Sequence, residues 1–169
     1  MLLDLPRPSY LGELPSTDPE RTRRTLALMQ DLVARFKRNG QVRQTALDLV
    51  GALRPKDWAA EVRALFAFVR DHVRYTRDVR GIETLQTPQA TLEIEQGDCD
   101  DKSTLLASLL ESIGHPTRFV AIGYGKPGEF QHVYVESRIG ARWLPLDATM
   151  EVEAGWQPRA PLSRLVAHN

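Results

Sequence analysis

The sequence has very little cysteine: Cys99 is the only one in 169 residues. A single thiol excludes an intramolecular disulfide, a cysteine-rich zinc site and an iron–sulfur cluster, since each of these needs several thiolates. One free thiol is consistent with a reducing compartment. Cys99 is therefore either a small buried apolar residue or a chemically active group.

The sequence also lacks an excess of charge of either sign and any long apolar run. Lysine and arginine together number 22, as do aspartate and glutamate. This balance gives no general electrostatic reason to expect nucleic acid or a membrane surface as a partner. No segment approaches the roughly 20 apolar residues of a membrane span. The short apolar stretch at residues 1–5 lacks the basic region and the length of a signal peptide. We therefore expect a soluble, cytoplasmic protein.

Helical periodicity dominates the first half of the chain. Apolar residues recur every three or four positions in three successive segments. The predicted helices run from Thr17 to Asn39-Gly40, over about 41–53, and from about Asp57 to Val73. Trp58 lies on the apolar stripe of the third helix and is expected in the core. Residues 1–16 contain three prolines and are expected to form an extended or disordered arm. Residues 74–96 are less regular and predict a loop or a short strand.

The second half of the chain changes from helical to strand patterning. A fourth helix is expected to start at Cys99 and to end at Gly114. Three β-rich segments follow, with turns between them: Arg118–Tyr124, Gln131–Arg138 and Arg142–Asp147. Beyond Met150 the apolar anchors are few, namely Trp156, Leu162, Leu165 and Val166. Helices followed by antiparallel strands predict the α+β class.

The position of Cys99 suits a nucleophile. At a helix start, unpaired N–H groups and the positive end of the helix dipole lower the pKa of a thiol and stabilise an oxyanion. The flanking Asp98, Asp100 and Asp101 act in the opposite direction, because nearby negative charge raises a thiol pKa. These carboxylates are candidates for capping the helix or for binding substrate amines.

His132 and Asp147 lie on consecutive predicted strands. If these strands pair through a turn at Gly140 so that paired residue numbers add up to 279 or 280, the two residues lie opposite each other. In that register Ser137 and Arg142 flank the turn. Asp147 could then orient the imidazole, and His132 could serve as the base for a nucleophile. Sequence spacing does not bring Cys99 to His132, so a structural and a catalytic role are equally open on these grounds.

Three segments of the chain, taken in order, resemble the transglutaminase-like superfamily. Its nucleophile, histidine and aspartate segments resemble Gly97-Asp98-Cys99-Asp100-Asp101-Lys102-Ser103, Gln131-His132-Val133 and Trp143-Leu144-Pro145-Leu146-Asp147. The resemblance covers about residues 57–150. The first two helices resemble the N-terminal part of similar proteins encoded by tailed phages and prophages.

This resemblance implies a papain-like α+β fold in which the helix of the nucleophile packs on an antiparallel sheet. It implies a transglutaminase-like domain over residues 57–169, preceded at 1–56 by the arm and two helices that pack on it in one globular unit. Cys99 would be the nucleophile, His132 the general base and acid, and Asp147 the group that orients the histidine. The Cys99 N–H would contribute to an oxyanion hole. The candidates for a further side-chain donor are Tyr75, Gln86 and Gln96.

The implied activity is acyl transfer through a thioester on Cys99. Water completes the reaction in a peptidase or deamidase, and an amine completes it in a transglutaminase. Small bacterial and phage members resemble hydrolases more often, so hydrolysis of a protein or peptide is expected, with no cofactor and no metal.

Two alternatives stay open. One is a non-catalytic phage or prophage structural module that keeps the fold, binds phage structural proteins and is virion-associated. The other is a metal site built from Cys99, His132 and nearby aspartates, although one cysteine and one histidine are a poor zinc set.

Overall fold

A computed structural model describes residues 9–10, 19–77 and 84–169. Most of the predicted arm, and Thr17 at the predicted start of the first helix, lie outside the described residues. The elements that the structure describes are, in chain order, β1 (Ser9–Tyr10), α1 (Pro19–Phe36), α2 (Gly40–Val50), α3 (Trp58–His72), β2 (Arg74–Tyr75), β3 (Thr84–Leu85), α4 (Pro88–Ile94), β4 (Gln96–Gly97), α5 (Cys99–Ser112), β5 (Thr117–Gly123), β6 (His132–Ile139), β7 (Arg142–Leu146) and β8 (Ser163–His168).

The predicted helix boundaries follow from local capping. Asn39 caps α2 by accepting hydrogen bonds from the N–H groups that follow it, and Asp57 caps α3 by accepting the N–H of Ala60 at 3.1 Å. Gly114, just after α5, has a φ of +96°, which glycine adopts without steric strain. The second helix ends at Val50, earlier than predicted, where a glycine of poor helix propensity follows. Among the described residues no helix is both long and apolar enough to cross a membrane.

The main sheet has four antiparallel strands in the order β7-β6-β5-β8. Helix α5 lies on one face of it and contacts β5 and β6. Val133 and Val135 of β6 share a single core cluster with apolar residues of α1, α2, α3 and α5. The α+β class and the packing of the Cys99 helix on an antiparallel sheet are confirmed. A domain boundary at residue 57 stays a prediction.

The register of β6 and β7 differs from the predicted one. Val135 pairs with Leu146 and Ile139 with Arg142, so paired numbers add up to 281 instead of 279 or 280. The reason is a tight two-residue turn, in which Gly140 has a φ of +60°. Ile139, not Ser137, therefore flanks the turn opposite Arg142. Asp147 follows the end of β7 and lies diagonal to His132 rather than opposite it.

Two elements were not predicted. Residues 88–94 form α4 rather than a loop or strand, since Thr87 caps the helix and Pro88 begins it. The strand β8 forms by pairing with β5, a tertiary partner that the local sequence does not reveal.

Three expected apolar anchors are exposed instead. Trp58 is 55 % exposed because it is the first residue of α3, where the core does not reach. Trp156 and Leu162 are 38 % and 60 % exposed, so the expectation that they anchor the tail was wrong.

Gly123 ends β5 where the chain that leads into His132 passes close to the backbone of the sheet. A Cβ at Gly123 would lie 1.8 Å from the carbonyl oxygen of Glu129, which is a backbone atom. We expect Gly123→Ala to lower the free energy of unfolding by about 3 kcal/mol, because the segment around Glu129 must move away. Thermal or urea unfolding followed by circular dichroism measures this loss.

The matched control is Gly40→Ala at the start of α2. A Cβ there meets no atom within 4 Å, and alanine favours a helix over glycine. This variant should unfold at or above the wild-type midpoint. An unchanged midpoint in Gly123→Ala would contradict the proposed close approach.

Candidate active site

The start of α5 is fixed by a reciprocal capping box around Cys99. The carboxylate of Asp98 accepts the N–H groups of Asp100 and Asp101 at 2.9 and 3.1 Å. The Asp101 carboxylate accepts the N–H of Asp98 at 3.3 Å. Asp101 also accepts the backbone and side-chain N–H groups of Gln86 at 2.8 and 2.9 Å. Capping by these aspartates is confirmed, and it makes Cys99 the first residue of the helix.

The surroundings of Cys99 favour the protonated thiol over the thiolate. Burial, followed by the negative charges of Asp100 and Asp98, raises the pKa of Cys99 well above its usual value. The sulfur lies 3.4 Å from Oδ1 of Asp100, to which the thiol donates. A hydrogen bond from the backbone of Val133 opposes this increase in pKa without overcoming it. The aspartates shift the thiol pKa in the expected direction, whereas the lowering of this pKa that was expected from the helix start does not prevail.

His132 and Asp147 are in direct contact. Nε2 of His132 lies 2.7 Å from Oδ2 of Asp147, which is 1 % exposed. Thr149 donates its N–H and its hydroxyl to the other carboxylate oxygen at 3.1 and 2.6 Å. A carboxylate accepts, so Nε2 carries the proton, and Nδ1 is the nitrogen left to accept one. The predicted contact is present although the register that predicted it was wrong.

Cys99 and His132 line one cavity of about 360 Å³. The thiol contacts the backbone of Val133, the residue after His132, so the sulfur lies beside the strand that carries the imidazole. Asp147 does not line the cavity and contacts Nε2 of His132. Sequence patterning missed that α1 forms a wall of this cavity, with Arg21, Thr22, Thr25, Leu26 and Met29.

Of the three candidate oxyanion donors, only Tyr75 lines the cavity. Gln86 is bound to Asp101, and the side-chain oxygen of Gln96 accepts from Arg74 at 2.7 Å. Burial, followed by the nearby Cys99, raises the pKa of the Tyr75 phenol, although a hydrogen bond from the Arg77 side chain acts in the opposite direction. The Tyr75 hydroxyl therefore keeps its proton near neutral pH and can donate it.

A metal site built from Cys99, His132 and aspartates is not formed. The metal-ligating groups that lie close enough together in the described part of the chain are Asp98, Cys99 and Asp100, within 4.8 Å of one another. His132 is not among them. The Asp98 carboxylate is used in helix capping, and one thiol with two carboxylates and no histidine is not a typical zinc ligand set.

Solved structures share this fold. A candidate protease from Parabacteroides distasonis aligns with a TM-score of 0.63 and 13 % identity over 85 % of this chain and 28 % of its own. A candidate cysteine protease from Cytophaga hutchinsonii gives 0.55 and 18 %, over 80 % and 52 %. Calcium-bound LapG from Legionella pneumophila gives 0.55 and 16 %, over 85 % and 87 %. The chain thus spans about a quarter and about half of the first two proteins, and no curated protein sequence matches it.

A family model gives a more specific result. The model described as the transglutaminase-like superfamily matches residues 43–148, more than half of the chain. This segment contains Cys99, His132 and Asp147, and its helix α5 packs on the antiparallel sheet as in the fold that the sequence predicted. The protein belongs to the transglutaminase-like superfamily.

Proposed function

We propose that the protein is a cysteine-dependent acyl-transfer enzyme that hydrolyses amide bonds in a protein or peptide. The proposal depends on one observation. Nε2 of His132 lies 2.7 Å from Oδ2 of the buried Asp147, and His132 lines the same cavity as Cys99. Two proteins of similar fold are described as candidate proteases, which supports hydrolysis. The assignment of Cys99, His132 and Asp147 as a catalytic triad is part of this proposal.

In the first half-reaction, sulfur attacks the substrate carbonyl carbon while the thiol proton passes to Nδ1 of His132. The pKa of Cys99 is raised, so His132 acts as a general base during the attack rather than as the partner of a resting thiolate. The C–N bond then breaks, and the imidazolium gives its proton to the leaving amine. Asp147 stabilises the imidazolium and keeps the ring oriented.

In the second half-reaction, water attacks the thioester and gives a proton to His132. The C–S bond breaks, the carboxylic acid leaves, and the proton returns to the sulfur. If an amine attacks instead, the product is a new amide, as in a transglutaminase. The carboxylates of Asp98 and Asp100 beside the sulfur favour this second candidate, because they attract a cationic amine.

Acylation by p-nitrophenyl acetate tests the triad without knowledge of the natural substrate. Sulfur takes the acetyl group and p-nitrophenolate leaves, which is followed by absorbance. We expect a burst in the wild type, none in Cys99→Ala, and a burst rate lower by about 10²–10⁴-fold in His132→Gln, which lacks the base. Asp147→Asn should lose activity as well, since the tautomer of His132 is no longer fixed.

The matched control is His72→Ala, since His72 is an exposed histidine outside the cavity. Its burst should equal that of the wild type. A primary amine added to the same assay distinguishes the two candidate reactions, because hydrolysis yields acetate and amine transfer yields the N-acetyl amide. A wild type that releases no nitrophenolate at Cys99 would favour the non-catalytic module.

Tyr75→Phe tests the oxyanion donor. Tyr75 lines the cavity, and the variant keeps its ring and removes its hydroxyl. We expect acylation by p-nitrophenyl acetate to fall by about 10²-fold, the usual loss for one oxyanion donor. Alkylation of Cys99 by iodoacetamide forms no oxyanion, so its rate serves as the internal control. An equal loss with both reagents would indicate a general disturbance of the thiol.

Asp100→Asn tests the electrostatic control of the thiol. The negative charge of Asp100 favours the protonated form, so its removal lowers the pKa of Cys99 and raises the thiolate fraction at a given pH. We expect faster alkylation by iodoacetamide at pH 8 in this variant, with the difference disappearing at a pH above both pKa values. Mass spectrometry follows the rate at which Cys99 is alkylated, from pH 6 upward. Asp48→Asn, which changes a remote and exposed aspartate, is the control. Slower alkylation in Asp100→Asn would contradict the assigned role.

A further inference from the structure

Lys102 is a buried lysine on the first turns of α5. The side chain is 2 % exposed, and a buried ammonium is costly unless it is hydrogen bonded. Its Nζ donates to the carbonyl oxygens of Val73 and, at 3.3 Å, of Arg70. These carbonyls lie at the C-terminal end of α3, where the partial negative charge of a helix accumulates. Lys102 therefore joins the helix of the nucleophile to the end of α3.

The contact between Lys102 and Val73 lies close in the chain to a residue that lines the cavity. Tyr75 follows Val73 by two residues, in the two-residue strand β2. Thr76 donates its N–H to Gly97 at 3.0 Å, and Tyr75 is paired with Gly97, two residues before Cys99. So short a strand has few ladder hydrogen bonds to fix it. The hydrogen bond from Lys102 to Val73 is a further contact that holds the segment from Val73 to Tyr75.

We propose that Lys102 is a positioning residue that holds Tyr75 at the Cys99 end of the cavity. The inference rests on the oxyanion role proposed above for Tyr75. Lys102 itself does not line the cavity and acts through the backbone of Val73. In its absence the two carbonyls lose their donor. The segment from Val73 to Tyr75 then keeps its pairing with β4 and the buried side chain of Val73, but it loses its hydrogen bond from α5.

The electrostatic surroundings support a cationic side chain here. The pKa of Lys102 is lowered to about 8, because burial outweighs the opposing effect of the negative charges of Asp71 and Asp147. At neutral pH the group is therefore mostly an ammonium, with three N–H donors for the two carbonyls. Methionine would fill the same space and supply no donor.

The test compares two reagents on Lys102→Met. Acylation by p-nitrophenyl acetate needs the oxyanion donor, whereas alkylation by iodoacetamide needs only the thiol. We expect acylation to fall at least about tenfold and alkylation to stay within about twofold of the wild type. In the double variant with Tyr75→Phe, the rate of acylation should be no lower than in the slower single variant. The reason is that both changes remove the same function, oxyanion donation by the Tyr75 hydroxyl.

A spectroscopic readout reports on Tyr75 directly. With 3-fluorotyrosine at position 75, the ¹⁹F chemical shift should change in Lys102→Met. It should stay the same in Lys37→Met, which removes a lysine that contacts the far end of α5 through Glu111 at 3.4 Å. Retention of the ¹⁹F shift in Lys102→Met would overturn the inference. Equal losses with both reagents, or additive losses in the double variant, would also overturn it.

Circular dichroism first checks that the variants are folded. If Lys102→Met does not fold, Lys102→Leu, which also supplies no N–H donor, takes its place with the same expected results. If wild-type Cys99 reacts with neither reagent, the proposed function fails. The ¹⁹F shift then still decides whether Lys102 sets the position of Tyr75.

Discussion

The backbone N–H groups at the start of α5, which have no acceptor within the helix, are the constraint on which the rest of the site depends. A buried helix start needs acceptors for these groups, and Asp98 supplies one at the position before Cys99. The same capping box fixes the direction of the first turn and therefore the place of the sulfur. Its consequence is electrostatic, because burial of this helix start and the charges of Asp100 and of the capping Asp98 raise the pKa of the thiol.

A thiol with a raised pKa changes what the histidine must do. A preformed thiolate would need only an imidazolium as a counterion, whereas a protonated thiol needs a neutral imidazole with a free acceptor nitrogen. The hydrogen bond from Nε2 of His132 to Asp147 selects the tautomer in which Nδ1 is that acceptor. Thr149 fixes the carboxylate in turn. The geometry around Asp147 and the charge around Cys99 are thus parts of one requirement.

Local chemistry explains which features could be predicted from the sequence. Helix caps, helix-ending glycines and helical periodicity depend on residues that are close in the sequence. The helix that starts at Cys99 and its end at Gly114 could therefore be predicted. The contact between His132 and Asp147 was also found, since the start of one strand and the end of the next meet when the two strands pair antiparallel. Its register was not, because the two-residue turn at Gly140 is decided by how the strands pack.

The features that were missed depend on partners far away in the chain. The strand β8 exists only through β5, and the wall formed by α1 is visible only once the helix is docked. Lys102 shows the same limit, because a lysine in a helix is normally read as a surface residue. Its burial depends on the carbonyls at the end of α3, which sequence spacing does not bring together with α5.

The first helix has a position that the family match does not capture. The proposed reacting groups all lie within residues 43–148, yet α1, at residues 19–36, contributes Leu26 and Met29 to the cavity that contains them. Both residues also belong to the core shared with α5 and β6. The same apolar contacts that stabilise the fold therefore close one side of the cavity. A change in α1 that altered what reaches Cys99 would also alter the packing of the helix that carries it, so the helices before the matched core are physically part of the site.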